Sequence, residues 1–150
     1  MSLQDNKAKL TRLIEHDWVA ATSGKPEVLN EYFAAGFVNH SGHHHDRQAK
    51  DTEALKAEAA HVGASASDLS LKVDLLVGEG DILAAHWSSS SRRTGGRPYK
   101  HVGHVDSHDQ VMELSGVFIG RFQDGKIVEA WNYDNHLDTM VEHGVLVTKK

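Results

Sequence analysis

The sequence predicts an α+β domain in which three N-terminal helices pack into a strongly curved antiparallel or mixed sheet, a conical barrel. Two observations carry this. Before Gly63 the apolar residues recur at helical spacing, and from Leu69 onward the period falls to two. Turn signals then divide the second half into long strands, Gly78-Glu79-Gly80-Asp81 and Asp124-Gly125 above all. A long twisted sheet curling over helices leaves a cone, and a cone makes a pocket.

The elements follow in order. Leu10, Leu13, Ile14, Trp18 and Ala21 make the stripe of a first helix, which Ser23-Gly24 ends. Pro26 suits the first turn of a second helix, with Val28, Leu29, Tyr32 and Phe33 on its apolar face and a stop near Gly36. Phe37 to His40 is a short extended piece. Asp51 or Thr52 caps a third helix that turns Leu55, Ala59 and Val62 inward and ends at Gly63. Leu69, Leu71, Val73, Leu75 and Val77 alternate with polar residues and predict a half-buried strand. Ile82 to about Ser90 is the next strand, with Ile82, Ala84, His86 and Ser88 on one face and Leu83, Ala85 and Trp87 on the other. Thr94 to Gln110 reads as loop. Val111 to Phe122 and Ile127 to Tyr133 form a hairpin around Asp124-Gly125, and a short helix is expected from Asn135 to His143.

The bulk numbers exclude several classes. At 150 residues the chain fits a single domain, residues 1–150, and such a chain buries roughly 68–70% of its unfolded surface, so a core needs no metal or disulfide. There is no cysteine, which removes disulfides, thiolate metal sites and thiol nucleophiles. The net charge of −5 argues against nucleic acid, whose partners neutralise phosphate with a basic face. No apolar run approaches the roughly 20 residues of a membrane span, and Met1 to Leu10 lacks the apolar run of a signal peptide, so no membrane partner and a cytoplasmic location are expected.

Several phrases carry a resemblance. They are Tyr32-Phe33-Ala34 with Phe37-Val38-Asn39-His40, Gly80-Asp81-Ile82-Leu83-Ala84-Ala85-His86-Trp87, and above all Gly120-Arg121-Phe122-Gln123-Asp124-Gly125-Lys126-Ile127-Val128-Glu129-Ala130-Trp131 followed by Asp134. In these, over nearly its whole length, the chain resembles the SnoaL-like polyketide cyclase (ester cyclase) family of the nuclear transport factor 2-like superfamily. The resemblance implies a cone with an apolar cavity, a homodimer through the sheet, and intramolecular aldol closure of a polyketide ester without metal or cofactor. It implies a catalytic aspartate just after the Trp of the last strand, which is Asp134 here. Where many relatives carry a Gly-Thr-His-x-Gly loop, this chain reads Ser91-Arg92-Arg93-Thr94-Gly95, and its third long strand holds no His.

Candidate site residues follow from the chemistry. Removing a proton next to a carbonyl needs a positioned base and a donor for the developing enolate oxygen. Asp134 is the candidate base, with a helix cap or solvated carboxylate as its alternative role. His40, His86 and His104 are candidate donors or pocket groups, His104 as the catalytic partner, since neutral imidazole donates and titrates near neutrality. Each reads first as a hydrogen-bonded structural histidine. Glu113, protonated, is another donor. Trp18, Tyr32, Phe33 and Trp131 are core or cavity-wall aromatics. Arg121 and Glu129 face each other across the hairpin. Of the 12 histidines, His43-His44-His45 reads first as a solvated loop. In an extended segment only His43 and His45 share a face, so a metal site there needs a third ligand.

The sequence therefore predicts a pocket protein for a hydrophobic small molecule, such as a polyketide-like ester or ketone, with no cofactor and no metal. Its reaction is cyclisation or isomerisation, in the lyase or isomerase class. A non-catalytic binding module and a histidine-dependent metal site are the alternatives.

Overall fold

The structure, a computed structural model, describes residues 2–40, 51–94, 97–99, 103–105 and 111–135, with side chains outside the short strands 97–99 and 103–105. The chain opens with α1 (Leu3–Arg12), continues through a π turn (Leu13–Asp17) and ends the same helical run with α2 (Trp18–Thr22). Ser2 starts it with a capping box: its hydroxyl accepts from the Asp5 amide at 3.0 Å, and its own amide donates to the Asp5 carboxylate at 3.1 Å. Leu10, Leu13, Ile14 and Ala21 are buried along this run, as the stripe requires.

The second helix is shorter than its apolar face suggests. A 3-10 helix covers Pro26–Glu31, and β1 (Phe33–Asn39) begins where the helix was expected to continue. The reason is tertiary: Phe33 pairs with Ile127, whose amide donates to the Tyr32 carbonyl at 2.7 Å. Next comes α3 (Thr52–Ser65), capped by Asp51 accepting from Ala54 at 2.8 Å, and it runs two residues past Gly63.

The remaining strands are β2 (Ala66–Glu79), β3 (Ile82–Arg93), β4 (Arg97–Tyr99), β5 (Gly103–Val105), β6 (Val111–Gln123) and β7 (Lys126–Asp134). Asp124 and Gly125 both take positive φ, the backbone a tight Asp-Gly hairpin needs. The stretch expected as loop contains the small β4-β5 hairpin. The expected terminal helix falls, beyond Asn135, outside the described residues.

The main sheet has five strands in the order β1-β7-β6-β3-β2, with β1 parallel to β7 and the other pairs antiparallel. It is therefore mixed. It does not close into a barrel, since β1 and β2 remain its two edges. The helices cover one face. There Leu10 and Leu29 meet Leu83, Ala85 and Ile127, all at 0% exposure. Each such large side chain contributes about 1.5–3 kcal/mol relative to exposure.

Two strands change face along their length. On β2, Val73 pairs with Trp87 and Leu75 with His86, so Asp74 is an extra residue. The bulge reverses the alternation. Leu69, Leu71 and Val73 point to the helices, as expected, whereas Leu75 and Val77 stand on the outer face, 69% and 64% exposed. The Glu15 carboxylate accepts from the Val73 amide at 2.9 Å and fastens the helical run to the bulge. On β7, Ile127 pairs with Phe122 and Glu129 with Arg121, leaving Val128 as the extra residue.

Candidate active site

A cavity of about 260 Å³ lies between the helices and the sheet. It is close to the lower end of the roughly 300–1,000 Å³ typical of ligand pockets. Its walls are mostly apolar: Leu13, Ile14 and Trp18 from the helical run, Phe33 and Phe37 from β1, and Leu71, Leu114 and Phe118 from the sheet. Polar groups enter at a few places, notably Asn39, Glu58, Arg93, Asn132 and Asp134.

The Val128 bulge decides which β7 residues reach this space. Ile127 is buried against the helices. Without the extra residue, Glu129, Trp131 and Tyr133 would follow it inward. With it, Ala130, Asn132 and Asp134 line the cavity instead. Asp134 is exposed as well as lining, which puts it at the rim. Its backbone is pinned from the next residue: the Asn135 amide donates to the Ser115 carbonyl at 3.1 Å, and the Ser115 amide donates to the Asn135 side-chain oxygen at 2.9 Å.

Asn132 is held by a side chain from two strands away. Gly116 on β6 lies between Trp87 on β3 and Asp134 on β7 in one cross-strand row. A Cβ at Gly116 would stand 2.6 Å from Trp87 Cζ2 and 2.4 Å from the Tyr133 carbonyl oxygen. The bare glycine lets the indole lie across β6. Trp87 Nε1 then donates to Asn132 Oδ1 at 3.0 Å.

The expected site residues divide. Trp18, Phe33 and Asp134 line the cavity. Tyr32 is buried, 2% exposed, with its hydroxyl donating to Asp17, and it does not line the cavity. His86 lies on the outer face of β3, its Nδ1 3.4 Å from the Asp74 carboxylate. His40 stacks on Trp131 with ring centroids 5.0 Å apart and meets Glu129 at 2.8 Å, also away from the cavity. Glu113 alternates with the cavity-lining Met112 and Leu114 and is exposed. Residue 104 sits in β5, and the His104 side chain lies outside the described residues, as do His43, His44 and His45. Among the described residues no group of three or more His, Cys, Asp or Glu is placed to hold a metal ion.

Arg121 and Glu129 meet as expected, at 3.1 Å, and Arg121 also reaches Asp81 at 3.2 Å. The His40 bond first, and the Arg121 bond after it, hold the Glu129 carboxyl below its ordinary range. This network is on the outer surface and contributes little to stability.

Sequence reasoning passed over Asn39, Glu58, Arg93 and Asn132. A signal existed for two of them. Glu58 falls between Leu55 and Val62 at helical spacing, and Arg93 continues the period of two from Trp87 through Ser89 and Ser91. Asn132 had none, because the bulge that turns it inward leaves no mark in the alternation.

Among the described residues no helix is long and apolar enough to cross a membrane. Among solved structures, TsrD from Streptomyces laurentii shares the fold with a TM-score of 0.73 at 20% identity, covering 97% of this chain and 99% of its own. A protein put forward as a SnoaL-like polyketide cyclase, from Jannaschia sp. CCS1, gives 0.72 at 21% identity, covering 94% of each chain. No curated protein matches the sequence. The profile of the family described as SnoaL-like polyketide cyclase matches residues 10–142, nearly the whole chain. With that match, and with an apolar cavity under a curled mixed sheet, the chain belongs to the SnoaL-like polyketide cyclase family.

Proposed function

We propose that the cavity binds an apolar carbonyl compound, a polyketide-like ester or ketone, and that Asp134 removes a proton from the carbon next to its carbonyl, without a cofactor. The C–H bond breaks, the proton passes to the Asp134 carboxylate, and the electron pair moves onto the carbonyl oxygen. The enolate then closes a ring by attack on a second carbonyl, or takes its proton back at another carbon. The observation that carries this reading is an aspartate at the rim of an apolar cavity, its backbone tied to β6 through Asn135. The apolar lining excludes water from the reacting carbon, and family membership supports the reaction class.

Hydrogen–deuterium exchange tests this without knowledge of the natural substrate. In deuterated buffer the protein should speed exchange of the activated CH₂ of 2-tetralone, an apolar ketone, above the buffer rate. Asp134→Asn should cut that enhancement by about 10²–10⁴-fold, the usual worth of a general base, while the ketone still binds. Undiminished exchange in Asp134→Asn would remove Asp134 as the base. Saturable binding with no exchange by the native protein would favour a non-catalytic binding module.

The reading also includes a homodimer formed through the outer face of the sheet. What supports it is a row of exposed apolar side chains on three strands, Leu75 and Val77 on β2, Val117 on β6 and Tyr133 on β7, which crosses β3 at His86.

A further inference from the structure

We infer that Ser89 and Ser91 determine substrate specificity: their hydroxyls bind two oxygens on the part of the substrate that does not react, so the ligand is a poly-oxygenated ketone or ester rather than a plain hydrocarbon one. This rests on the proton-transfer reading above for the place of the reacting end, and it adds a distal subsite to the same cavity.

The inner face of β3 changes character along its length. Leu83 and Ala85 are fully buried in the core. Trp87 follows, and the next inward positions are Ser89 and Ser91, both half-buried and both on the cavity wall. Their cross-strand neighbours are apolar. Ser89 pairs with Leu71 on one side and Leu114 on the other, and Ser91 pairs with Met112. All three neighbours line the same cavity. Strands β2 and β6 flank β3, so the two hydroxyls stand in the middle of the wall and not at its edge.

A serine in that setting needs a reason. Inward strand positions against an apolar space are ordinarily filled by branched or aromatic side chains. A hydroxyl there costs free energy unless it is hydrogen-bonded. Ser65, which lines the same cavity, meets the need within the protein: its hydroxyl donates to the His61 carbonyl at 3.0 Å. Among the described residues no protein group meets the hydroxyl of Ser89 or of Ser91. What fills the cavity is left to match them.

Placement separates this pair from the chemistry. Trp87, Gly116 and Asp134 share one cross-strand row. Ser89 lies one inward position beyond that row along β3, and Ser91 one further. Two strand spacings put them about 10 Å to the side of Asp134, and the strand rise carries them about 7 and 14 Å along. They therefore do not touch the carbon that Asp134 deprotonates; they meet the far part of the ligand. Each hydroxyl donates and accepts, and turns among three rotamers. The pair thus takes ketone, hydroxyl or ether oxygens on one edge of a molecule.

The test compares 2-tetralone with 5,7-dihydroxy-2-tetralone, which adds two oxygens on alternate carbons of the far ring. The native protein should bind the dihydroxy ketone about tenfold more tightly or more, the worth of two hydrogen bonds. Ser89→Ala/Ser91→Ala should remove most of that preference and leave the affinity for 2-tetralone unchanged. Deuterium exchange at saturating ketone should keep the native rate in this variant, while the dihydroxy ketone concentration needed for saturation rises. Its melting temperature should not fall, because no protein group loses a partner. Equal weakening of both ketones, or a lower melting temperature with an unchanged preference, would give the serines a packing role and overturn the inference. A native protein without preference for the dihydroxy ketone would overturn it as well. A preference that depends on both serines, with no exchange of either ketone, would keep the subsite and remove the proton-transfer reading. Absence of binding by both ketones would overturn the two together.

Discussion

Tyr32 shows how a single buried phenol ties the helical run to the rest of the fold. Its hydroxyl donates to Asp17, and Arg12 holds the same carboxylate at 3.2 Å. Burial is the first cause that raises the Tyr32 pKa above its usual 10; the Asp17 bond and the Asp17 charge add to it. The consequence has a definite sign. Below about pH 10 the phenol is protonated in both states, and the stabilising bond is present in full. Above that value the unfolded chain releases the proton while the folded chain keeps it, so stability falls as pH rises toward the folded value. Urea unfolding between about pH 9 and pH 11 should show this fall, and Tyr32→Phe should flatten it while costing about 1 kcal/mol at neutral pH. An equal fall in the phenylalanine variant would place the alkaline sensitivity elsewhere. Asp134 was legible among residues because a family phrase led up to it. Asn132 was not, because its place on the cavity wall follows from the Val128 bulge, which no single residue announces.

Secondary elements differ in how plainly the sequence speaks for them. On β3 and β6 the pairing runs unbroken, both strands stand where the sequence predicts them, and on β3 the buried Leu83, Ala85 and Trp87 share the predicted face. Asp124-Gly125 announces its hairpin in two residues. By contrast β2 carries an extra residue between Ser67 and Ser70 and another at Asp74, and β7 carries one at Val128. An alternation is a property of a run, and a one-residue insertion changes every later member without changing the composition. Hence Leu75, Val77 and Trp131 were expected inward and stand outward. The second helix failed for another reason: the pairing of Phe33 with Ile127 overrode a helical apolar spacing that local sequence favours. Helix packing offers its own test at Gly63, where a Cβ would sit 1.9 Å from the Thr22 carbonyl oxygen. The obstacle is backbone, so α2 and α3 must part. Gly63→Ala should therefore lower stability by about 1–3 kcal/mol, even though alanine is the better helix former by about 1 kcal/mol. Thermal unfolding decides it, and a raised melting temperature would show that the helices separate without cost.

At the scale of the molecule, the sheet has two working faces. One bounds the cavity. The other presents Leu75, Val117 and Tyr133 to solvent in one register row that crosses β3 at His86, with Val77 two residues along β2. Contiguous apolar patches of this kind mark association surfaces. Val117→Lys within the row should turn a dimer into a monomer in sedimentation at equal concentration, with an unchanged circular dichroism spectrum. An unaltered mass would remove this face as the interface. The extra residue at Val128 bears on both faces at once. It sends Asn132 and Asp134 to one side and Trp131 and Tyr133 to the other, so the polar lining of the cavity and the aromatics of the outer face descend from the same backbone irregularity. A lineage that lost it would exchange the two sets rather than lose either one. It would carry aromatics into the cavity and amide and acid onto the surface. One backbone position therefore governs the lining of the cavity and the make-up of the outer face together.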